Sequence, residues 1–197
     1  MILRKIGPNK FVQVKSVDPS EEEEFLTVNI GGEFIRVDDL PVSYSGIWIQ
    51  DSNGNYIPDL DAEKKYYLQK LDKECTDYIL SYYPDTKQKS DLFDKEYHAA
   101  ALLMINSSYN SDQLYKLCGN FANEILDGMK TFEEILSTLP EIERFHWEQL
   151  IKVSVRTAWL QRVKYQYYQY KEKIMKCNSV DELHSITFNF LPFPKLS

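Results

Sequence analysis

Up to about residue 60 apolar and polar positions alternate in short runs; beyond it apolar residues return every three or four positions. The first pattern is that of half-buried strands and the second that of amphipathic helices. Phe11 to Lys15 alternates after the turn signal Gly7, Pro8, Asn9, Lys10. The runs Phe25 to Ile30 and Glu33 to Val37 are joined by Gly31 and Gly32, a pair suited to a two-residue hairpin. That turn sets Val28 opposite Ile35 and Leu26 opposite Val37, so all four share one face. A second hairpin is predicted for Gly46 to Asp51 and Tyr56 to Ile57, with Asn53 and Gly54 suited to a type I′ turn.

From Asp61 the helical period takes over. Asp61 can cap a helix whose stripe is Tyr67, Leu68, Leu71, Cys75, Tyr78, Ile79 and Tyr82, stopping before Pro84. A second helix is expected from about Thr86 to Asn106, with Leu92, Phe93, Tyr97, Ala100, Leu103 and Met104 facing inward. A third begins at Ser111, uses Leu114, Leu117, Cys118, Phe121, Ile125 and Leu126, and ends near Gly128. Capping boxes at Thr131/Glu134, Thr138/Glu141 and Ser179/Glu182 open three more. The middle one starts a helix from Pro140 to about Lys176, about 37 residues or roughly 55 Å at ~1.5 Å each. A helix of that length is expected to project or to meet a partner. The tail, Phe188 to Ser197, contains Pro192 and Pro194 and should be extended.

The predicted class is α+β: an antiparallel β unit of four to six short strands over residues 1–60, then a helical bundle of about five helices over 61–197. Composition agrees with an ordinary globular chain of 197 residues, 43% apolar and 27% charged. It excludes collagenous, disordered and disulfide-scaffold classes. No apolar run approaches the roughly 20 residues of a membrane span, and the first residues lack the apolar stretch of a signal peptide. Cys75, Cys118 and Cys177 are odd in number and far apart, and His98, His146 and His184 are equally scattered. Small buried thiols explain the cysteines, and no metal site is expected. Asp51, Asn53 and Asn55 alternate like calcium ligands, but Ala62 stands where the bidentate Glu belongs, so no cofactor is expected either.

Charge is uneven. Residues 1–60 carry 5 basic and 10 acidic groups, residues 61–140 carry 9 and 14, and residues 141–197 carry 9 and 6. Within a net −7, the C-terminal part is therefore basic, and its cations interleave with aromatics along the long helix. Arg156, Arg162, Lys164 and Lys171 are the candidates for a nucleic-acid or regulatory surface. Against this, Trp147, Ile151, Val155, Ala158, Trp159, Val163, Tyr167, Tyr170 and Ile174 fall on one helical stripe that belongs to a core or a partner helix. The acidic total opposes nucleic acid at long range.

No glycine-rich phosphate loop, nucleophile elbow, zinc-binding helix motif or dinucleotide fingerprint occurs. Glu143 and His146, with Glu148 nearby, read as a surface ion pair, since nothing supplies a nucleophile or metal partner. The chain is expected not to be an enzyme. The 14 tyrosines are the remaining anomaly, because tyrosine is enriched at protein interfaces. Trp48, Trp159, Tyr165, Tyr167, Tyr168 and Tyr170 are the candidate partner-binding residues.

The stretch from Gly46 to Tyr56, a Gly-x-Trp hairpin with Asn-Gly at its tip, leads into the charged helix Asp61 to Tyr83 and then Tyr83 to Gln88 opens the next. This order resembles small accessory proteins of bacteriophage tails, of the tail-fibre, baseplate and fibre-assembly types, over about residues 45–106. The resemblance implies a non-enzymatic virion or assembly component that connects other tail proteins, in the virion or the host cytoplasm; self-association as a homo-oligomer is a separate expectation. The long helix and the tyrosine-rich C-terminus have no counterpart in that pattern, so no family residue is carried over. The expected function is a protein–protein adaptor, structural or chaperone-like.

Overall fold

The computed structural model describes residues 1–14, 34–82, 86–106 and 109–196, with backbone only for 86–93. The expected strand Phe25 to Ile30, its pairing about Gly31 and Gly32 and the acidic run before it lie outside the described residues. The α+β class holds, with an antiparallel sheet first and helices after it.

The strands are β1 (Ile2–Gly7), β2 (Lys10–Gln13), β3 (Phe34–Arg36), β4 (Ile47–Gln50) and β5 (Tyr56–Pro58), in the spatial order β3-β1-β2-β4-β5 with every neighbour antiparallel. The register sets Leu3 opposite Ile35, Phe11 opposite Trp48 and Gln50 opposite Tyr56. Because side chains alternate along a strand, Leu3, Ile35, Phe11, Trp48 and Tyr56 share one face. Leu3, Phe11 and Trp48 form its buried centre, with Ile35, Val37, Leu40 and Tyr56 packed against them.

The second hairpin forms where the pattern placed it, but not with a type I′ turn. Among the described non-glycine residues only Asp39 has positive φ, so Asn53 stays in the ordinary region while Gly54 sits at φ +85°. Asp51 O accepts from Gly54 N and Asp51 N donates to Asn55 O. This is a three-residue loop with glycine in the left-handed position. The Asp51 carboxylate selects it by accepting from the N–H groups of Asn53 and Asn55, an Asx turn that the sequence pattern mimicked as calcium spacing.

The helices are α1 (Leu60–Tyr82), α2 (Thr86–Asn106), α3 (Ser111–Leu126), α4 (Phe132–Ser137), α5 (Arg144–Lys176) and α6 (Val180–His184). Two of the expected caps move. Asp59, not Asp61, caps α1, accepting from the N–H groups of Asp61 and Ala62. Thr138 does not open the long helix: its hydroxyl donates back to Ile135 O at the end of α4, and a 3-10 turn, Glu141–Glu143, precedes α5. The helix is therefore 33 residues long. Thr131 and Glu134 do form a complete capping box. Ser179 accepts from Glu182 N, while the Glu182 carboxylate turns to Asn178 N. Gly128, at φ +68°, ends α3 as Met129 N–H reaches back to Glu124 O.

The chain packs as two compact units, and the division is not the one at residue 60. The first comprises Met1–Asp72 with Tyr170–Phe188, the second Lys73–Gln169 with Asn189–Ser197. In the first unit Tyr67, Leu71, Ile174, Cys177, Leu183 and Ile186 are buried in addition to the sheet core. The far end of α5 thus does not stand free: Ile174 is fully covered and Met175 O accepts from Lys64 Nζ. In the second unit one core joins α2, α3, α4 and the first half of α5 through Leu103, Leu114, Ala122, Ile135, Trp147, Ile151 and Val155. Another gathers Cys75, Trp159 and Val163 beneath Tyr78, Phe190, Leu191 and Phe193. All three cysteines are buried and unpaired with one another. No helix among the described residues is long and apolar enough to cross a membrane.

Candidate functional site

Two constellations carry polar chemistry or open space, one in each unit. In the first unit the buried apolar stripe of α1 begins with a carboxylate. Glu63 lies one turn before Tyr67 and two before Leu71, and all three are buried. Its Oε1 accepts from Ser43 Oγ at 2.6 Å, Ser45 Oγ at 2.7 Å and Ser45 N at 2.9 Å. Its Oε2 lies 3.2 Å from His184 Nε2. An ionised carboxylate only accepts, so Nε2 carries the proton. Burial alone would raise the Glu63 pKa, but Ser43, Ser45 and His184 together outweigh it and hold the carboxyl below its usual value. Tyr44 meets the His184 ring edge-on at 4.6 Å, and Tyr67 stacks on it at 6.0 Å. Burial, with Tyr44, Glu63 and Tyr66 nearby, pushes the Tyr67 hydroxyl up to about 12.

This grouping of serines, histidine and acid is not a catalytic relay. A relay needs the hydroxyl on the imidazole and the acid behind it. Here the acid takes both hydroxyls as well as the imidazole N–H. What the arrangement does is hold the Ser43–Gly46 turn against α1 and α6. Ser43 Oγ, held by Glu63, in turn accepts from the N–H groups of Gly46 and Ile47, which fixes the start of β4.

In the second unit a half-open groove of about 950 Å³ runs between α2, α3 and α5. It exists because the positions facing it are small: Ala100 and Ala101 on α2, Ser154 and Thr157 on α5. Leu114, Cys118 and Leu150 are buried at its base, while Tyr97, Ile105 and Tyr115 on its rim are 81%, 77% and 77% exposed. Of the residues expected to face inward on α2, Leu103 is buried and Ala100 packs against the core, joined by Ala99, whereas Tyr97 and Met104 are exposed; the side chains of Leu92 and Phe93 lie outside those described. Among the described residues Asp94 and Glu96 are the only charged ones lining the groove, and both are acidic. Burial raises the Glu96 carboxyl above its usual pKa, and burial pushes the Cys118 thiol up to about 11.

The candidate binding residues scatter. Trp48 is buried in the sheet core, its Nε1 donating to Pro41 O at 3.0 Å. Trp159 is fully buried and donates to Leu191 O at 2.8 Å. Both indoles serve cores rather than a partner, since burying an indole requires a partner for its N–H and each has one. Tyr167 is half-buried against the Trp159 cluster, and Tyr170 packs edge-on to Phe188 at 5.2 Å. Tyr165 and Tyr168 remain exposed.

Two of the four candidate cations are engaged within the second unit. Arg162 binds Asp127 Oδ1 at 2.6 Å and Asn123 Oδ1 at 3.0 Å, and Arg156 lies over the Phe193 ring. Lys164 and Lys171 are exposed. Glu143 accepts from Trp147 Nε1 at 3.2 Å, and Glu148 pairs with Lys152, so neither forms a site with His146. Among the described residues no cluster of His, Cys, Asp and Glu is placed to hold a metal ion.

Sequence reasoning passed over both constellations. The Glu63 signal was present, a carboxylate on a buried stripe, but its donors are about 20 and 120 positions distant, and no spacing rule joins them. The groove has only a negative signal, paired alanines on a helix otherwise rich in large residues. Compared with protein-family models, curated proteins and solved structures, the chain matches none.

Proposed function

We propose that this chain is a non-enzymatic protein–protein adaptor, a structural or assembly component that works by docking a helix of another protein. The groove between α2, α3 and α5 carries the reading. An apolar trough with uncovered tyrosine and isoleucine on its rim suits helix-in-groove recognition, because tyrosine offers large contact area at low entropic cost. The length of α2 along it, Asp94 to Ile105, is roughly 17 Å at ~1.5 Å per residue, enough for about three turns of a docked helix. The bacteriophage tail is the setting that the sequence resemblance implies, and the docked helix then belongs to another tail or assembly protein.

Size-exclusion chromatography with light scattering tests this, on the chain alone and mixed with the purified products of neighbouring genes. The expected result is a stable complex with one of them that Ile105→Asp disrupts. A strict monomer that combines with none of them overturns the proposal.

A further inference from the structure

We infer that the segment received by the groove is a basic amphipathic helix, with a Lys or Arg placed opposite Asp94 and Glu96. The inference rests on the docking reading above and adds the chemistry of the partner. Electrostatic complementarity is what selects among apolar helices of similar shape. All the charge on the described lining of the groove is negative and sits on Asp94 and Glu96 of its α2 wall, whereas the opposite end, Met104 and Ile105, is apolar. A docked helix therefore meets carboxylates at one end and aliphatic side chains at the other, which also sets its direction.

Glu96 is the sharper determinant. It is half-buried, and its surroundings already disfavour the charged form. A cation brought beside it pairs with that carboxyl in a partly desolvated place, where the attraction is stronger than at an open surface. An acidic helix would set like charges together with no base on the described lining to relieve them. A second copy of this chain docking groove to groove brings no base to Asp94 and Glu96 either, since the described lining carries none. Tyr97, one turn from Asp94 and next to Glu96 in sequence, is 81% exposed and can cover the stem of an arriving Lys or Arg.

The test uses the full chain and two fluorescently labelled synthetic helical peptides. Both carry Leu at the i, i+3, i+4 and i+7 positions; one has Lys at the polar positions and its twin has Glu. Binding is followed by fluorescence anisotropy at low and moderate salt. The Lys peptide is expected to bind on the order of tenfold more tightly than its twin, and added salt should narrow the difference. Glu96→Gln should weaken the Lys peptide several-fold, and Tyr97→Ser, on a surface side chain whose loss leaves folding intact, should weaken both. Equal binding of the twins, both sensitive to Tyr97→Ser, overturns the charge assignment while the docking reading stands. Absence of binding by either peptide overturns both. Binding of the Lys peptide that ignores Glu96→Gln and Tyr97→Ser alike places it elsewhere on the acidic surface and overturns the inference. Concentration-dependent dimers abolished by Tyr97→Ser would assign the groove to a second copy and overturn it too.

Discussion

Replacing Glu63 by Gln removes a negative charge from a fully buried position while keeping its shape. The interactions affected are those of Oε1 with Ser43 Oγ, Ser45 Oγ and Ser45 N, which weaken, and of Oε2 with His184 Nε2, which is lost. Hydrogen bonds to a charged acceptor contribute about 1.5–3 kcal/mol each, against about 1 for neutral ones. Gln retains one acceptor oxygen for the serines but presents an NH₂ group to His184, whose Nε2 already carries a proton. Since bonds sharing one carboxylate do not add independently, the expected loss is about 2–3 kcal/mol, a fall in Tm of roughly 5–10 °C for a chain of this size. Glu63→Leu removes the acceptor that Ser43 Oγ, Ser45 Oγ and Ser45 N share and should cost about 3–5 kcal/mol.

The pH dependence separates this account from simple packing loss. The folded-state pKa of Glu63 is lowered, so its contribution is present above the unfolded-state value of about 4.3 and disappears as pH falls through the folded one. Below that point the wild-type carboxyl is neutral, like the Gln. The stability gap between wild type and Glu63→Gln should therefore be widest near neutrality and close as pH falls below the unfolded-state value of about 4.3. Tyr67 stays protonated throughout, with its hydroxyl near 12. His184, the titratable group bonded to Glu63, is controlled by repeating the comparison in a His184→Gln background. Urea unfolding followed by near-ultraviolet circular dichroism measures the gap, and hydrogen exchange at Ser45 N reports the clasp itself. A gap that stays constant or widens as pH falls refutes the reasoning, as does unchanged exchange at Ser45.

Other consequences follow from single contacts. Trp159→Phe keeps most of the buried ring but leaves Leu191 O without its indole donor; Tyr78 still donates to that oxygen at 2.9 Å, so the loss should be only about 1 kcal/mol in thermal unfolding, and a loss above three times that would contradict it. Deleting residues 189–197 removes Phe190, Leu191 and Phe193 from the same cluster and should cost about 3–5 kcal/mol; an unchanged Tm would show that the tail is not part of the core. Gly54→Ala places a Cβ at φ +85° and should cost about 1 kcal/mol by chemical denaturation. Cys118, buried and with its thiol pushed up to about 11, should resist iodoacetamide in the folded chain and react on unfolding, because only the thiolate is nucleophilic; rapid modification of the native protein would refute its burial.

What the sequence by itself determined is whatever depends on neighbours within a few positions. The α+β division, the hairpin at Gly54, the Thr131 capping box and the Gly128 stop are legible because alternation, helical period and cap chemistry act over at most five residues. Even the errors keep that scale: Asp59 displaces Asp61 as a cap by two positions, and Thr138 belongs to the helix before it. The tertiary structure alone decided which aromatics are available. Trp48 and Trp159 vanish into cores because Pro41 O and Leu191 O satisfy their N–H groups, whereas Tyr97 and Met104, on the expected inner face of α2, are left exposed beside a groove. It also drew Glu63 onto Ser43, Ser45 and His184, groups up to 121 positions from it in sequence. Burial and hydrogen-bond partners are properties of the packed chain, set by which elements meet, and a local pattern records only that a residue has a side to bury.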